Sequence, residues 1–317
     1  MKVLITGVTG FAGSHLAEHW LKNGAEVHGT IRWRSDMRNI EGILAEDCLH
    51  NCDIRDAFSV AKTIGEVKPD IIHHLAAQSF VLESWRAPAE TLATNIVGTL
   101  NILEAARQHP CVVHIAGSSE EYGNAGVEQI DEDTPLEPIS PYGVSKVAAD
   151  MLGWQYAKSY KMPVVITRAF NHTGPRRGEV FVTSSFAKQI AEIAAGKRDP
   201  VISHGNLNAI RDWTDVRDIV RGYAYAVSAI RNNDKSSPQR FVLCSGVGRS
   251  VKSLLDNLVG ISGQDIVTEQ DPDRMRPSDI MSLVGNNKRA ALELGWEPKI
   301  PWETTLTDLY NYWTERV

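Results

Sequence analysis

The sequence has few of the features typical of secreted, membrane-embedded or nucleic-acid-binding proteins. Only four cysteines occur among its 317 residues, too few for a disulfide framework. The 33 basic residues are outnumbered by 39 acidic ones, and a formal net charge of −6 provides no basic face for a nucleic acid. No apolar run is long enough to cross a bilayer, and there are no internal repeats. These absences predict a soluble, reduced, cytoplasmic protein with neither a nucleic-acid nor a membrane partner.

Two further absences concern targeting and metals. The first predicted strand begins at residue 1, which leaves no room for a signal peptide. Cys48 and Cys52 are spaced closely enough for a metal site to be conceivable, but no second Cys or His pair elsewhere completes it. We therefore expect buried thiols and no metal.

What the sequence does contain is a regular alternation of strand and helix over its first two thirds. Apolar, β-branched runs predict strands at 1–6, 27–31, 49–52, 71–75, 112–116 and 164–167. Segments with apolar residues at helical spacing predict helices at 14–21, at about 88–108 and from Ser140-Pro141 onward. This order predicts the α/β class, with a Rossmann-type, doubly wound parallel sheet and helices on both faces.

Seven residues, Gly7-Val8-Thr9-Gly10-Phe11-Ala12-Gly13, join the first predicted strand to the first predicted helix. Glycine permits a tight turn here and lets backbone N–H groups approach a pyrophosphate at the positive end of the helix. A Gly-x-x-Gly-x-x-Gly run alone also fits a plain loop, but its place between strand and helix favours a dinucleotide site. The residues expected to bind the cofactor are Gly7, Thr9, Gly10, Phe11, Ala12 and Gly13.

The end of the second predicted strand indicates which dinucleotide binds. An NAD site normally has Asp or Glu there, whereas this sequence has Arg32, Arg34 and Ser35. Guanidinium groups suit a 2′-phosphate, so NADP is favoured over NAD, unless the arginines form only a solvated loop or an oligomer contact. After the third strand, Asp53 would accept a hydrogen bond from the adenine amino group. Leu75-Ala76-Ala77, after the fourth, are small enough to lie beneath the cofactor.

The alternation ends near Asn171, where loops, shorter helices and one more strand at 240–243 follow. We predict that 1–170 form the NADP-binding Rossmann domain, to which later segments return. Residues 171–317 are predicted to form mainly a smaller α/β lobe that binds the substrate.

Tyr142 and Lys146 are four residues apart on a predicted helix and therefore share a face. Tyr142 lies in the first turn, where the helix dipole favours a phenolate, and a nearby ammonium would lower the pKa of the phenol further. The pair could move the proton of a sugar or alcohol hydroxyl. Tyr-x-x-x-Lys also occurs on ordinary amphipathic helices, so the pair alone is a weak signal.

A run rich in serine and glutamate follows the fifth predicted strand directly. Residues two apart in extended chain point the same way, so Ser118 and Glu120 should face one side, with Ser119 and Glu121 turned away. The carboxyl ends of strands are where open α/β sheets bind ligands. Serine, carboxylate, tyrosine and lysine at one such end together predict a catalytic site.

At this point the sequence resembles the extended short-chain dehydrogenase/reductase family over nearly its whole length. The matching features are the glycine motif, Asp53-Ile54, Leu75-Ala76-Ala77, Asn95, Ser118 and the Tyr142/Lys146 pair. Within that family it is most similar to the GDP-mannose 4,6-dehydratase branch, and the closely related GDP-4-keto-6-deoxymannose reductases share a run like 118–122. The runs that carry this similarity are Arg-Ala-Phe-Asn-His at 168–172, Pro-Arg-Arg-Gly-Glu at 175–179, Phe-Val-Thr at 181–183, Gly-Asn-Leu at 205–207, Arg-Asp-Trp at 211–213 and Arg-Pro at 276–277.

The resemblance implies a role for each matching residue. Ser118 stands where the dehydratases usually have a catalytic threonine, and Glu120 matches their acid/base. Tyr142 and Lys146 match the pair that assists hydride transfer, and both also contact the cofactor. The residues implied to hold the sugar nucleotide are Asn171, Arg177, Val182, Lys188, Arg211 and Arg276, of which Arg177 would grip the phosphates and Lys188 fits a surface lysine equally well.

The activity that this resemblance implies is a GDP-sugar 4,6-dehydratase with tightly held NADP and internal hydride transfer. A reductase of a 4-keto sugar nucleotide would consume NADPH and need no base at C5. A sugar-nucleotide epimerase is a third alternative, against which Glu120 argues. A non-catalytic NADP-binding protein would not need Ser118, Tyr142 and Lys146 together. Relatives of this kind imply a homodimer or homotetramer.

Overall fold

A computed structural model describes residues 1–232, 239–275 and 280–317. The strands in these residues, in chain order, are β1 (Lys2–Thr6), β2 (Glu26–Ile31), β3 (Leu49–Asn51), β4 (Ile71–His74), β5 (Val112–Ala116), β6 (Val164–Ala169), β7 (Asn171–Thr173), β8 (Val201–His204), β9 (Ile210–Asp215), β10 (Gln239–Leu243), β11 (Gly248–Ser250), β12 (Val267–Gln270) and β13 (Ser282–Leu283). Seven of them form one parallel sheet in the order β10-β6-β5-β4-β1-β2-β3.

The helices flank this sheet and build a second layer beyond it. They are α1 (Phe11–Lys22), α2 (Ala57–Val67), α3 (Val81–Arg86), α4 (Pro88–Leu92), α5 (Gly98–Gln108), α6 (Pro141–Tyr160), α7 (Val182–Ala194), α8 (Val216–Asn232), α9 (Val251–Ser262) and α10 (Trp302–Thr314). A π-helical segment, Ala93–Val97, joins α4 to α5, so the helix predicted over 88–108 is interrupted by one wide turn.

The parallel sheet separates two apolar cores. Along β1, Val3 and Ile5 face the core formed with α1 and α8, whereas Leu4 faces the core formed with α2, α5 and α6. Both sets are buried because successive strand residues point to opposite faces and each face carries helices. The predicted α/β doubly wound fold is confirmed.

The chain after residue 170 is less regular than the first part, and it returns to the large sheet. Helix α8 packs on the sheet beside α1, and β10 pairs with β6. A smaller lobe has β9 paired with β7, β11 and β13, and a core of α7, α9 and α10. The expectation of a single strand in this part was wrong, since seven occur in the described residues. Each of these seven strands has six residues or fewer, which is too short for a clear alternation of apolar and polar residues.

Two sequence-based expectations concern buried thiols and membranes. Cys52, Cys111 and Cys244 are buried free thiols, as predicted, but Cys48 is only partly buried because it ends a short turn before β3. Among the described residues, no helix is both long enough and apolar enough to span a membrane.

Candidate active site

A cavity of about 630 Å³ lies at the carboxyl ends of the central parallel strands. Its walls come from the glycine turn after β1, the loops after β2 to β5, and the chain from 169 to 183. Open α/β sheets bind ligands at this edge, and the volume lies in the range of small-molecule sites.

The glycine turn forms one end of the cavity. Gly7 has φ of +70°, and a Cβ at this position would lie 3.0 Å from Ala76 Cα, so only glycine fits the turn beside the 75–77 loop. Gly10 caps α1 without a side-chain acceptor, which leaves the first N–H groups of the helix available to a ligand. The predicted turn residues that line the cavity are Gly7, Thr9, Gly10, Phe11, Ala12 and Gly13.

The loops after β2 and β3 meet beside this turn. Arg32 and Ser35 line the cavity, and the Arg32 N–H donates to Ser35 Oγ at 2.9 Å. Arg34 is not among the lining residues, because its guanidinium lies over the exposed Trp33 ring, 4.6 Å from the centroid. Asp53 lines the cavity and binds Arg55 through both carboxylate oxygens. Other predicted cofactor residues in the lining are Ile54, Leu75, Ala76 and Ala77.

All four predicted catalytic residues line the same cavity: Ser118, Glu120, Tyr142 and Lys146. The N-cap Ser140 accepts a hydrogen bond from Gly143 N–H, which starts α6 and places Tyr142 in its first turn. The Ser118 side chain lies near the Tyr142 phenol and acts to lower its pKa. One turn further along α6, Lys146 Nζ donates to Ala116 O at 2.8 Å and lies 5.9 Å from the Tyr142 ring centroid.

The local structure of the serine–glutamate run differs from the extended chain that we predicted. Ser119–Glu121 form a 3-10 turn with Ser118 as its N-cap, because Ser118 Oγ accepts from Glu120 N–H and Glu121 accepts from Ser118 N–H. Ser118 and Glu120 both reach the cavity, but Ser119 does so too. Of the two residues expected to face away, only Glu121 is absent from the lining.

Burial changes the acidity of the tyrosine and lysine in opposite directions. Removal from water raises the pKa of Tyr142 to about 12, although the nearby Ser118 side chain opposes this. The prediction that the pKa of Tyr142 is lowered is therefore wrong for the protein without its cofactor. Burial also lowers the pKa of Lys146 to about 8, against the opposing effect of the Glu121 charge. A phenolate at Tyr142 requires a further positive charge beside it.

The predicted substrate residues fall into two groups. Asn171, Arg177 and Val182 line the cavity. Lys188 does not, since it pairs with Glu179 and Glu192 on the surface of α7. The buried Arg211 is absent from the lining as well, and its Nη1 donates to Ile280 O at 2.6 Å. The predicted Arg276 lies outside the described residues.

Aromatic side chains missed by the sequence analysis complete the cavity wall. His172 stacks on Phe11 with a centroid distance of 5.8 Å, and the centroid of the Phe181 ring lies 3.6 Å from the guanidinium carbon of Arg177. Tyr223 reaches the wall because α8 returns to the sheet, a placement that no local pattern reveals. Phe181 could have been suspected from its place in the 181–183 run.

Comparison with known proteins shows the family to which this chain belongs. A family model described as GDP-mannose 4,6 dehydratase matches residues 4–309, almost the whole chain. The chain belongs to the GDP-mannose 4,6-dehydratase family. The resemblance drawn from the sequence motifs is thus confirmed, including its place among the extended short-chain dehydrogenases/reductases.

Curated relatives in the GDP-mannose 4,6-dehydratase family come from bacteria, plants and animals. A GDP-mannose 4,6-dehydratase of Vibrio cholerae is 33% identical, over 94% of this chain and 90% of the relative. GDP-mannose 4,6 dehydratase 2 of Arabidopsis thaliana is 35% identical over 95% and 83%. The Homo sapiens enzyme is 31% identical over 97% and 90%.

Solved structures share the fold over its full length. RMD from Pseudomonas aeruginosa, complexed with NADPH, has a TM-score of 0.85 and 29% identity, covering all of both chains. UDP-glucose 4-epimerase of Thermus thermophilus, in complex with NAD, has a TM-score of 0.87 and 26% identity, with the same coverage.

Proposed function

We propose that this chain converts GDP-mannose to GDP-4-keto-6-deoxymannose, as an NADP-dependent 4,6-dehydratase. The observation that carries the proposal is the carboxylate of Glu120 in one cavity with Ser118, Tyr142 and Lys146, in a chain of this family. An oxidation at C4 alone would need the phenol and the ammonium. Loss of water from C5 and C6 needs an acid/base as well, which Glu120 supplies.

The cavity fits a dinucleotide at its glycine end. The uncapped N-terminus of α1 suits a diphosphate, and Arg32 suits a 2′-phosphate. Arg177 has a buried Nε with no hydrogen-bond partner among the described residues, which leaves a donor for a phosphate oxygen. Bound NADP⁺ would accept a hydride from the substrate and later return it.

Tyr142, in its phenolate form, takes the proton of the C4 hydroxyl as the hydride leaves C4. Lys146 carries a positive charge near the phenol ring, and the positive charge that NADP⁺ would bring when bound would favour the phenolate further. The Ser118 hydroxyl acts on the phenol in the same direction, towards a lower pKa of Tyr142. The ketone that results makes the proton on C5 acidic.

Glu120 acts on this ketone. Its carboxylate removes the C5 proton. Glu120, now protonated, or alternatively Ser118, then donates a proton to the C6 hydroxyl, which leaves as water. The hydrogen from C5 and the hydroxyl from C6 account for the water. A hydride returned to C6, and a proton delivered to C5 that balances the one Tyr142 took from the C4 hydroxyl, complete the deoxysugar. Each positioned acid or base contributes about 10²–10⁴-fold in rate.

The variant Glu120→Gln tests this assignment. Gln keeps the size and polarity of the side chain but cannot take a proton, so NADP binding should persist while 4-keto product formation falls by at least about 100-fold. Mass analysis of GDP-mannose incubations measures the product. The exposed Glu128→Gln is the matched control and should retain activity. Full dehydratase activity in Glu120→Gln would show that another group removes the C5 proton.

We also infer that the chain assembles as a homodimer or homotetramer. Helix α6 leaves the apolar side chains of Val144 and Met151 exposed, and Val97 is exposed on the neighbouring π-helical segment. A partner on these two helices would remove that apolar surface from water. Light scattering of the purified protein measures the assembly state, and a monomer at all concentrations would contradict the inference.

A further inference from the structure

Glu121 lies directly behind the site and has no place in the proposed proton transfers. It is fully buried, and its Oε1 accepts a hydrogen bond from Ser118 N–H at 2.7 Å. Gly117 makes room for this carboxylate, since a Cβ there would lie 2.6 Å from Oε1. The carboxylate therefore fixes the backbone that carries the Ser118 hydroxyl.

The other carboxylate oxygen faces a buried ion-pair chain. Arg168 Nε lies 3.3 Å from Glu121 Oε2 and 2.9 Å from Asp150 Oδ2. The same guanidinium donates to the Tyr122 hydroxyl at 3.1 Å, and Arg240 binds the second oxygen of Asp150 at 2.8 Å. These contacts hold Arg168 in one position, and its positive charge faces Glu121 Oε2, which has no hydrogen-bond partner among the described residues.

Lys146 and Glu121 both bind the backbone of the 116–118 segment: Lys146 Nζ donates to Ala116 O at 2.8 Å, and Glu121 Oε1 accepts from Ser118 N–H at 2.7 Å. The charged or titratable groups that act on the Lys146 ammonium come from several elements: His74 on β4, His114 on β5, Tyr142 on α6 and Glu121 on the 3-10 turn. Burial lowers the pKa values of both histidines, so they are neutral at neutral pH. Burial and the Asp150 charge raise the pKa of Glu121 to about 7, so above that pH its carboxylate is charged and opposes the loss of the Lys146 proton caused by burial.

We propose that Glu121 is a positioning residue: it fixes Ser118 through the backbone and keeps Lys146 protonated, while Arg168, itself held by Asp150, faces its second carboxylate oxygen. The activity part of this proposal rests on the proposed dehydratase function. The ionisation of Lys146 does not depend on it and can be measured separately.

The test compares Glu121→Gln with the wild-type protein. Gln retains an acceptor for Ser118 N–H but removes the charge, so Lys146 should lose its proton at a pH lower by on the order of one unit. NMR of lysine labelled with ¹³C at Cε follows this titration, and Lys146→Arg assigns the signal. The control is Glu132→Gln, another buried carboxylate, which accepts from Val242 N–H and does not act on Lys146. An unchanged Lys146 midpoint in folded Glu121→Gln overturns the proposal.

A second variant separates charge from position. Glu121→Asp keeps the charge but is one methylene too short for the bond to Ser118 N–H, so the Lys146 midpoint should stay while kcat falls about tenfold. In Glu121→Gln, the alkaline limb of the kcat profile should instead move to lower pH together with the NMR midpoint. Full kcat in Glu121→Asp would overturn the positioning role. If the wild type makes no 4-keto product, the dehydratase proposal fails, and the NMR titration still decides whether Glu121 holds the Lys146 proton.

Discussion

At the scale of single residues, the two arginines after β2 have different surroundings although the sequence places them almost side by side. Arg32 lines the cavity, whereas Arg34 lies over Trp33 away from it. Of the two guanidinium groups, we therefore expect only that of Arg32 to contact the 2′-phosphate of NADP. Both arginines were predicted to bind the cofactor because no acidic residue ends the second strand. That pattern does not indicate the direction of either side chain.

This difference predicts that Arg32→Ala weakens NADP binding by about tenfold or more and leaves NAD binding nearly unchanged, because only NADP carries the phosphate. Isothermal titration calorimetry with each dinucleotide measures both affinities. Arg34→Ala is the matched control, with a smaller effect on either. Equal losses of affinity for NADP and NAD in Arg32→Ala would mean that this side chain does not bind the 2′-phosphate.

The meeting of the four predicted catalytic residues at one cavity could be predicted from the sequence, but the acidity of these side chains could not. Spacing alone places Tyr142 and Lys146 on one face, and the structure confirms that they share the cavity. The degree of burial that raises the pKa of Tyr142 to about 12 depends on tertiary packing around α6. Lys188 and Arg211 were expected at the substrate, yet their partners hold them elsewhere.

At the scale of elements, the start of α6 and the 3-10 turn after β5 pack together without space between them. Gly143 is the contact point: a Cβ there would lie 2.6 Å from Glu120 O and 2.9 Å from Pro138 Cβ. The helix that carries Tyr142 and the turn that carries Glu120 therefore keep their spacing through one glycine. The sequence showed both elements but not this contact, since the two segments are well separated along the chain.

Gly143→Ala should separate these two elements by about half an ångström and lower kcat about tenfold, because catalytic groups must be closely placed. Affinity for NADP should change little, as the glycine turn after β1 is untouched. Steady-state kinetics and cofactor titration measure the two effects. Gly260→Ala in α9 is the control: nothing lies within 4 Å of the added Cβ, so kcat should be kept and stability should rise by about 1 kcal/mol. Normal kcat in Gly143→Ala would show that the turn tolerates the shift.

At the scale of the whole molecule, buried neutral histidines couple stability to pH. Burial lowers the pKa values of His15, His73, His74, His114 and His172. Each takes up a proton below about pH 6.5 in the unfolded chain but not in the folded one, so stability falls as the pH drops from about 6.5. Three carboxylates with raised pKa values, Glu121, Glu132 and Asp212, act in the opposite direction.

His74 offers a direct test of this balance, since burial lowers its pKa to about 3. His74→Gln should reduce the slope of unfolding free energy against pH by up to about 1.4 kcal/mol per pH unit between about pH 4 and 6. Urea unfolding at several pH values measures the slope. Thr99→Val removes the hydrogen bond to His74 Nε2 but keeps the histidine, so its slope should match the wild type. Equal slopes in His74→Gln and the wild type would refute the coupling.

The parallel sheet could be predicted from the sequence in more detail than the lobe that follows residue 170. Apolar runs that alternate with helical segments predict the parallel sheet because its central strands are buried on both faces. The pairing of β10 with β6 and the return of α8 join segments far apart in the chain. Tyr223 and His172 enter the cavity only through this tertiary arrangement. Local patterns carry no information on such contacts.

The central proposal is that the protein removes water from a GDP-sugar without net oxidation or reduction of its NADP. The most direct test incubates the protein and GDP-mannose with NADP, follows the product by mass spectrometry and follows nicotinamide absorbance in parallel. We predict a 4-keto product lighter than GDP-mannose by one water, with total NADPH unchanged at the end. GDP-mannose left intact, together with stoichiometric NADPH consumption on a 4-keto sugar nucleotide, would contradict the account and identify a reductase.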